Sequence, residues 1–403
     1  MGGFFRGHLH PALAGPIMLP DIMYTRLLTL ITVLVLAGAC LAQRHKLAAI
    51  NAETEEGKML QAISQETDAS KKLALMEEFA SKFPKHDATG WVYTQLQAGY
   101  NKAGNSDKAV AVGEKLLVLD AMDIDAAYAN LKASEAKKDS EGVLKWSGAT
   151  SGIAQKTAAA PKRDDQSDEE YKHAVDFAKQ VDTYTEYSLY ATAIQETDPA
   201  KAMKLADALE QRNPKSQYIE MVMPRYSAMA RQANALPAAV AFGERAYQRG
   251  QYSEDMLLLM ADQAIQGKEP VKVIQYSEKA IEVMGTRPKP EGVSDADWER
   301  KKNVTNGLAY WMAGTTLSGQ GKWAQADKAL RPALPLVKDN EQLYGMALFH
   351  LGLANYRMAQ ASKNKTQIAD AISFSKQSAA IKGPLQAQAA KNVKVMQQEF
   401  GAR

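Results

Sequence analysis

The chain has 403 residues, 46% of them apolar and 24% charged, with a formal charge of +3 and a single cysteine, Cys40. So small a net charge, with no basic face along any segment, argues against a nucleic-acid partner. One thiol excludes a disulfide framework and an iron–sulfur cluster. Only nine phenylalanines among many Ala and Leu, and no alternating β-branched runs between turn residues, point to an all-α chain with close helix contacts.

Residues 24–42 come first in chain order. Tyr24-Thr25-Arg26 precedes the apolar run Leu27 to Leu36 and the small residues Ala37, Gly38, Ala39, Cys40 and Ala42. A charged n-region, an apolar core and an Ala-x-Ala-like site read as a secretory signal, so the expected location is exported, in the periplasm or cell envelope. Residues 1–22 fit no signal, which makes Met18 or Met23 a candidate start, and residues 1–42 form an N-terminal extension and signal segment. Three fates stay open. Cleavage after Ala42 leaves Gln43 first and no thiol, and cleavage after Ala39 is the variant of it. Lipid on Cys40 would make a lipoprotein, although Ala37 stands where such a motif wants Leu. An uncleaved helix would anchor the chain, although roughly 16 apolar residues are short for a span.

From residue 43 onward, helical segments alternate with short polar turns. Gln65-Glu66-Thr67-Asp68 returns as Gln195-Glu196-Thr197-Asp198, and identity continues at Lys71/Lys201, Leu75/Leu205, Pro84/Pro214 and Lys85/Lys215. Eight of 21 aligned positions match at a spacing of 130 residues, which suits about four helical hairpins. Asp68 and Asp198 are natural N-caps, Pro199 suits a first helical position, and Pro84 and Pro214 stop a helix. Between the echoes, residues 93–116 place Tyr93, Leu96, Tyr100, Gly104, Ala109 and Leu116 at helix–turn–helix intervals, with Gln97 and Gly113 where a small and an aromatic residue are expected.

The segment Thr157 to Glu169 is the one candidate linker, dividing the body into residues 43–160 and 161–403. Its acidic cluster, Asp164, Asp165, Asp168, Glu169 and Glu170, lacks the calcium-loop glycine and spacing. Ser167 with Glu170 reads instead as a capping box. Further on, Ala239 to Ala246 after Pro237, and Tyr276, Lys279, Ala280 and Ile281, each look like the second helix of a hairpin. An irregular stretch, Gly285 to Ser294, precedes a long helix carrying Trp298 and Trp311.

Residues 310–333 hold the clearest unit. Tyr310, Ala313, Gly314 and Leu317 share one helical face and, after the turn Ser318 to Lys322, Ala326, Leu330 and Ala333 share another. Pro332 and Pro335 should end or kink that second helix, since an interior proline costs about 3 kcal/mol. A further copy starts at Leu348, Leu351, Gly352 and Ala354, but its second helix around Ala371 and Ile372 comes late, after a polar insertion Ala361 to Gln367 read as a loop.

The unit at 310–333 resembles a tetratricopeptide (TPR) repeat, whose 34-residue pattern of large, small and aromatic residues it follows in order. The resemblance implies an irregular right-handed superhelical solenoid of antiparallel helix pairs, because one hairpin cannot bury both its stripes alone. It also implies a concave groove lined by positions 2, 5, 9, 12 and 13 of each first helix, taking a peptide or protein partner. Those positions are Trp91, Thr94, Ala98, Asn101 and Lys102 in one repeat and Leu308, Trp311, Thr315, Ser318 and Gly319 in another. The carboxylate clamp of chaperone-binding relatives is missing, since Thr94 and Ala98 occupy its places.

No catalytic constellation is visible. His8, His10, His45, His86, His173 and His350 are scattered without metal-binding spacing. Gly319-Gln320-Gly321-Lys322 follows a helix rather than a strand, and reads as an inter-helix turn rather than a phosphate loop. The expected function is therefore an exported interaction scaffold with no cofactor, metal or chemistry of its own. A structural component held at the membrane by Cys40 or by residues 24–42 is the rival.

Overall fold

The computed structural model describes residues 45–47 and 50–401, so the signal-like segment 24–42 and Cys40 lie outside the described residues. The described residues contain seventeen α-helices and no strand. They fall into two compact units that meet in sequence between Arg225 and Tyr226. The first unit holds α1 (Glu55–Gln65), α2 (Ala69–Lys82), α3 (Thr89–Lys102), α4 (Ser106–Leu119), α5 (Ile124–Ala136), α6 (Ser140–Ala159), α7 (Asp168–Gln195), α8 (Pro199–Arg212) and the start of α9 (Tyr218–Gln232). The second holds the rest of α9, α10 (Leu236–Gln248), α11 (Glu254–Gln266), α12 (Pro270–Thr286), α13 (Asp295–Gly319), α14 (Trp323–Val337), α15 (Glu341–Ser362), α16 (Lys365–Ala380) and α17 (Gln386–Phe400).

From α1 to α8, and again from α10 to α17, each helix packs on its predecessor and its successor. First helices of successive hairpins also touch, α3 on α5 and α5 on α7, as do α11 on α13 and α13 on α15. Nearest-neighbour packing of this kind lets each apolar stripe find a partner without any long-range contact. In the first unit one core runs through Leu60, Ile63, Phe79, Val92, Leu96 and Leu116. A second gathers Ile124, Ile153, Ala154, Ala178 and Val181 beneath α6 and α7.

Turn chemistry sets the repeat. The first helix of five hairpins ends on a residue of positive φ, namely Gly104, Lys138, Asn234, Lys268 and Gly321. After each, the next N–H bonds back to a carbonyl five residues earlier: Asn105 to Tyr100, Asp139 to Ser134, Ala235 to Ala230, Glu269 to Ala264 and Lys322 to Leu317, at 2.7 to 3.0 Å. That is a Schellman ending, which satisfies otherwise orphaned carbonyls. Gly104 and Lys138, like Asn234 and Lys268, are one 34-residue period apart.

The Gln-Glu-Thr-Asp echo is the other kind of turn. Glu66 Oε1 accepts the Asp68 N–H at 2.8 Å, and Glu196 Oε1 accepts those of Thr197 and Asp198 at 2.8 and 2.9 Å. Asp68 then caps α2 through the Lys71 N–H, and Asp198 caps α8 through those of Ala200 and Lys201. The echo therefore marks two hairpins built on a turn without a left-handed residue. They are three hairpins apart rather than four, because α6 and α7 run to 20 and 28 residues against 14 each for α3 and α4. The segment between α6 and α7, expected as a linker, joins two helices that pack along each other. Ser167 and Glu170 form the capping box at the start of α7, each accepting the other's N–H at 3.2 and 2.9 Å.

Two further expectations change. The second helix of the clearest unit does not end at its prolines: α14 runs through Pro332 and Pro335 to Val337. Ala326, Leu330, Ala333 and Val337 are all buried on one face, and that packing holds the helix past the missing amides. The insertion Ala361 to Gln367 is no loop either. It lengthens α15 and α16, leaving only Lys363, at φ +53°, and Asn364, whose side chain accepts the Thr366 N–H at 2.8 Å.

Gln97 and Gly113, which depart from the repeat pattern, turn out to compensate each other. In the 310–333 unit the small residue is on the first helix, and a Cβ on Gly314 would lie 2.5 Å from Leu330 Cγ. In the 93–116 unit the corresponding places hold Gln97 and Gly113, so the small residue has moved to the second helix. A Cβ on Gly113 would stand 2.2 Å from both Gln97 Nε2 and Asn130 Oδ1.

Candidate partner-binding face

The Schellman turns at Gly104 and Lys138 put α3 and α5 in register at an offset of 34 residues, so Thr94, Ala98 and Asn101 correspond to Tyr128, Lys132 and Glu135. A buried amide pair fixes that register: Gln97 Nε2 donates to Asn130 Oδ1 at 2.9 Å and to the Ala126 carbonyl at 3.1 Å. Gln97 Nε2 and Asn130 Oδ1 find partners there, while Asn130 Nδ2 is buried without one, and a slip of one turn would leave the first two unpaired as well.

On α3, Trp91 is half-buried against the first core, Thr94 is half-buried with its hydroxyl donating to the Gly90 carbonyl at 3.1 Å, Asn101 is half-buried and Lys102 is exposed. On α13 the corresponding set offers less. Trp311 is 6% exposed with an indole N–H that has no partner, and Ser318 is 2% exposed with its Oγ 2.9 Å from His350 Nδ1. Thr315 donates to the Trp311 carbonyl at 2.8 Å. Burial pushes the His350 pKa down to about 4.

The first unit adds side chains to this face that the repeat positions did not single out. Tyr128 of α5 meets Tyr184 of α7 edge-on at 5.5 Å, and Tyr184 meets Tyr187 at 5.8 Å. Tyr218, at the start of α9, lies 5.9 Å from Tyr187 and stacks on Tyr190 at 5.2 Å. Tyr190 is buried and the other four are half-buried. Helical spacing explains the strip, because residues 184, 187 and 190 fall on one side of α7.

A single ion pair sits within the strip. Lys132 Nζ is 2.6 Å from Glu135 Oε2 and from the Tyr184 hydroxyl, and 4.8 Å above the Tyr184 ring. The Tyr184 hydroxyl also reaches Glu135 Oε2 at 2.8 Å. Burial, then the Glu135 carboxylate, raises the Tyr184 hydroxyl far above its ordinary pKa and lifts that of Tyr128 to about 12. These phenols stay neutral donors at any physiological pH. Arg212, whose pKa is lowered by burial, faces Asp182 and Glu186 nearby, and Asn213 donates to Glu186 at 2.9 Å.

Among the described residues no group of three or more His, Cys, Asp or Glu side chains converges as a metal site would. The tyrosines were legible in principle, since the run Tyr184, Tyr187 and Tyr190 has helical spacing and Tyr128 lies one period after Thr94. The signal was hidden because Lys138 stands where Gly104 would mark the turn.

No protein-family model matches the chain, and no curated protein matches it by sequence. Among solved structures it is similar to yeast Tom70, with 14% identity and a TM-score of 0.32 over 96% of this chain and 76% of that one. It is also similar to a tetratricopeptide repeat protein from Parabacteroides merdae, with 11% identity and a TM-score of 0.26 over 73% and 98%. The hairpins themselves, with Gly314 set against Leu330 and Schellman turns one period apart, decide the class. The fold is tetratricopeptide-like.

Proposed function

We propose that this is an exported scaffold that binds an extended segment of a partner protein along the first-helix face of residues 45–225 and performs no chemistry itself. The observation that carries the reading is the strip of half-buried aromatic side chains running from α5, whose register continues that of Trp91, Thr94, Asn101 and Lys102 on α3, across α7 to the start of α9. Tyrosines give large contact area at low entropic cost and are enriched in interaction hot spots. Trp311, Thr315 and Ser318 contribute less, because two of the three are nearly enclosed.

Export rests on the signal-like residues 24–42. A further support is that His45 already belongs to the body. Its ring lies against Gly90, and its Nε2 is 3.3 Å from the buried Asp123 carboxylate. Cleavage after Ala42 would leave two residues before that contact. A crosslinking pull-down from an envelope extract tests the binding claim, comparing the wild type with Trp91→Ala, Tyr187→Ala and Trp311→Ala. Loss of the same partners in the first two, each still folded by circular dichroism, is the expected result; partners retained in both would refute it.

A further inference from the structure

We infer that the tyrosine strip takes a proline-rich segment in the polyproline II form, an assignment of partner class that rests on the binding role proposed for the same face. The rings are not a flat platform. Tyr128 and Tyr184 stand at 90°, Tyr184 and Tyr187 at 54°, Tyr187 and Tyr218 at 57°, and only Tyr190 and Tyr218 approach coplanarity, at 16°. This corrugation suits a ridged ligand better than a sugar ring, which needs coplanar faces to lie on. The charged groups named beside the strip are of both signs, Lys132 and Arg212 against Glu135, Asp182 and Glu186, so it presents no single-sign field to an acidic or basic peptide.

An extended segment bound here must therefore supply apolar CH surface and few backbone N–H groups, because the described residues contain no strand edge to receive them. Proline meets both demands: it has no N–H, and its ring presents CH groups to an aromatic face. Polyproline II advances 3.1 Å per residue with three residues per turn, so equivalent ridges recur at about 9 Å, comparable to two ring steps of the strip. The helix is also pre-formed, which lowers the entropic cost of binding.

The test uses residues 43–403 and a fluorescently labelled decaproline peptide, read by anisotropy, with a Gly-Ser peptide of equal length and a chito-oligosaccharide as competitors. Saturable binding of decaproline alone is expected, weakened at least about tenfold by Tyr187→Ala, Tyr187→Leu and Tyr218→Ala and changed less than about twofold by Tyr187→Phe. Melting curves identify any variant that has lost its fold, and Tyr187→Leu keeps the buried bulk. Absence of saturable decaproline binding, equal binding by all folded variants, or displacement by the oligosaccharide would overturn the inference. A pulled-down partner that depends on Tyr187 but contains no proline-rich segment would also overturn it, while leaving the scaffold role standing.

Discussion

Replacing Gly314 with alanine tests the packing of the hairpin array at a close approach of two helices. The new Cβ would lie 2.5 Å from Leu330 Cγ, 2.7 Å from its Cδ2 and 3.2 Å from its backbone nitrogen. Carbon atoms at rest keep roughly 3.5 Å or more apart, so the overlap with the side chain is about 1 Å. Leu330 is fully buried and cannot swing aside. Overpacking of this kind costs about 1–3 kcal/mol, whereas alanine gains about 1 kcal/mol of helix propensity over glycine. The balance is a loss of up to about 2 kcal/mol. Leu330→Ala alone should cost about 2–5 kcal/mol through its cavity, but the double variant should fall short of the sum by about 1–2 kcal/mol, since the second change makes room for the first. Urea unfolding followed by circular dichroism gives the energies, and hydrogen exchange should place the loss in residues 295–337. A Gly314→Ala variant that is more stable than wild type, or energies that add, would refute the close approach of α13 and α14.

Other outcomes follow from charge and processing. His350 has its pKa lowered from 6.5 to about 4 by burial, so folding favours the neutral ring: stability is complete above pH 6.5 and is lost as pH falls toward 4. The loss is at most about 3 kcal/mol, less for a ring that keeps some solvent contact, and His350→Gln should flatten that pH dependence of the urea midpoint; an unchanged slope would contradict it. Glu254 is 2% exposed, and although burial alone would raise its pKa, Lys301 at 2.5 Å and Arg287 hold it below the ordinary value. Glu254→Ala should cost about 1–3 kcal/mol in thermal or urea unfolding through the lost charge-assisted bonds, since Lys301 keeps Asp255 at 3.2 Å and Arg287 keeps the Tyr252 carbonyl at 2.8 Å, and a loss under about 0.5 kcal/mol would mean that the pair is solvated. Mass spectrometry of the purified protein should find Gln43 at the N-terminus; a diacylated Cys40 or an intact residue 24–42 helix would instead support a membrane-held component.

The fold was legible wherever local chemistry repeats. Gly314 with Ala326, the N-caps Asp68 and Asp198 and the Ser167–Glu170 box all name their own helix ends. What escaped was governed by compensation between distant residues. Lys138, Asn234 and Lys268 take a left-handed conformation that glycine would have announced, so three hairpins lost their turn marker. Gln97 looked like an error in the pattern because its partner change, Gly113, lies on the next helix and its amide partner, Asn130, on the one after that. Prolines 332 and 335 mislead a local reading for the same reason: the buried face of α14 outweighs them. On the proposed binding face, Trp91 is named by repeat position alone, whereas Tyr128 joins Tyr184 only because α5 and α7 lie side by side, a contact 56 positions apart in sequence.

The most direct test of the central claim is photo-crosslinking in the producing cell, with a benzophenone amino acid placed singly at positions 94, 128 and 187 on the first-helix face and at Val118 and Val271, which are exposed on second helices. The account predicts one shared crosslinked partner at positions 94, 128 and 187 and none at 118 or 271. Crosslinks at the second-helix positions with none on the tyrosine strip would contradict it.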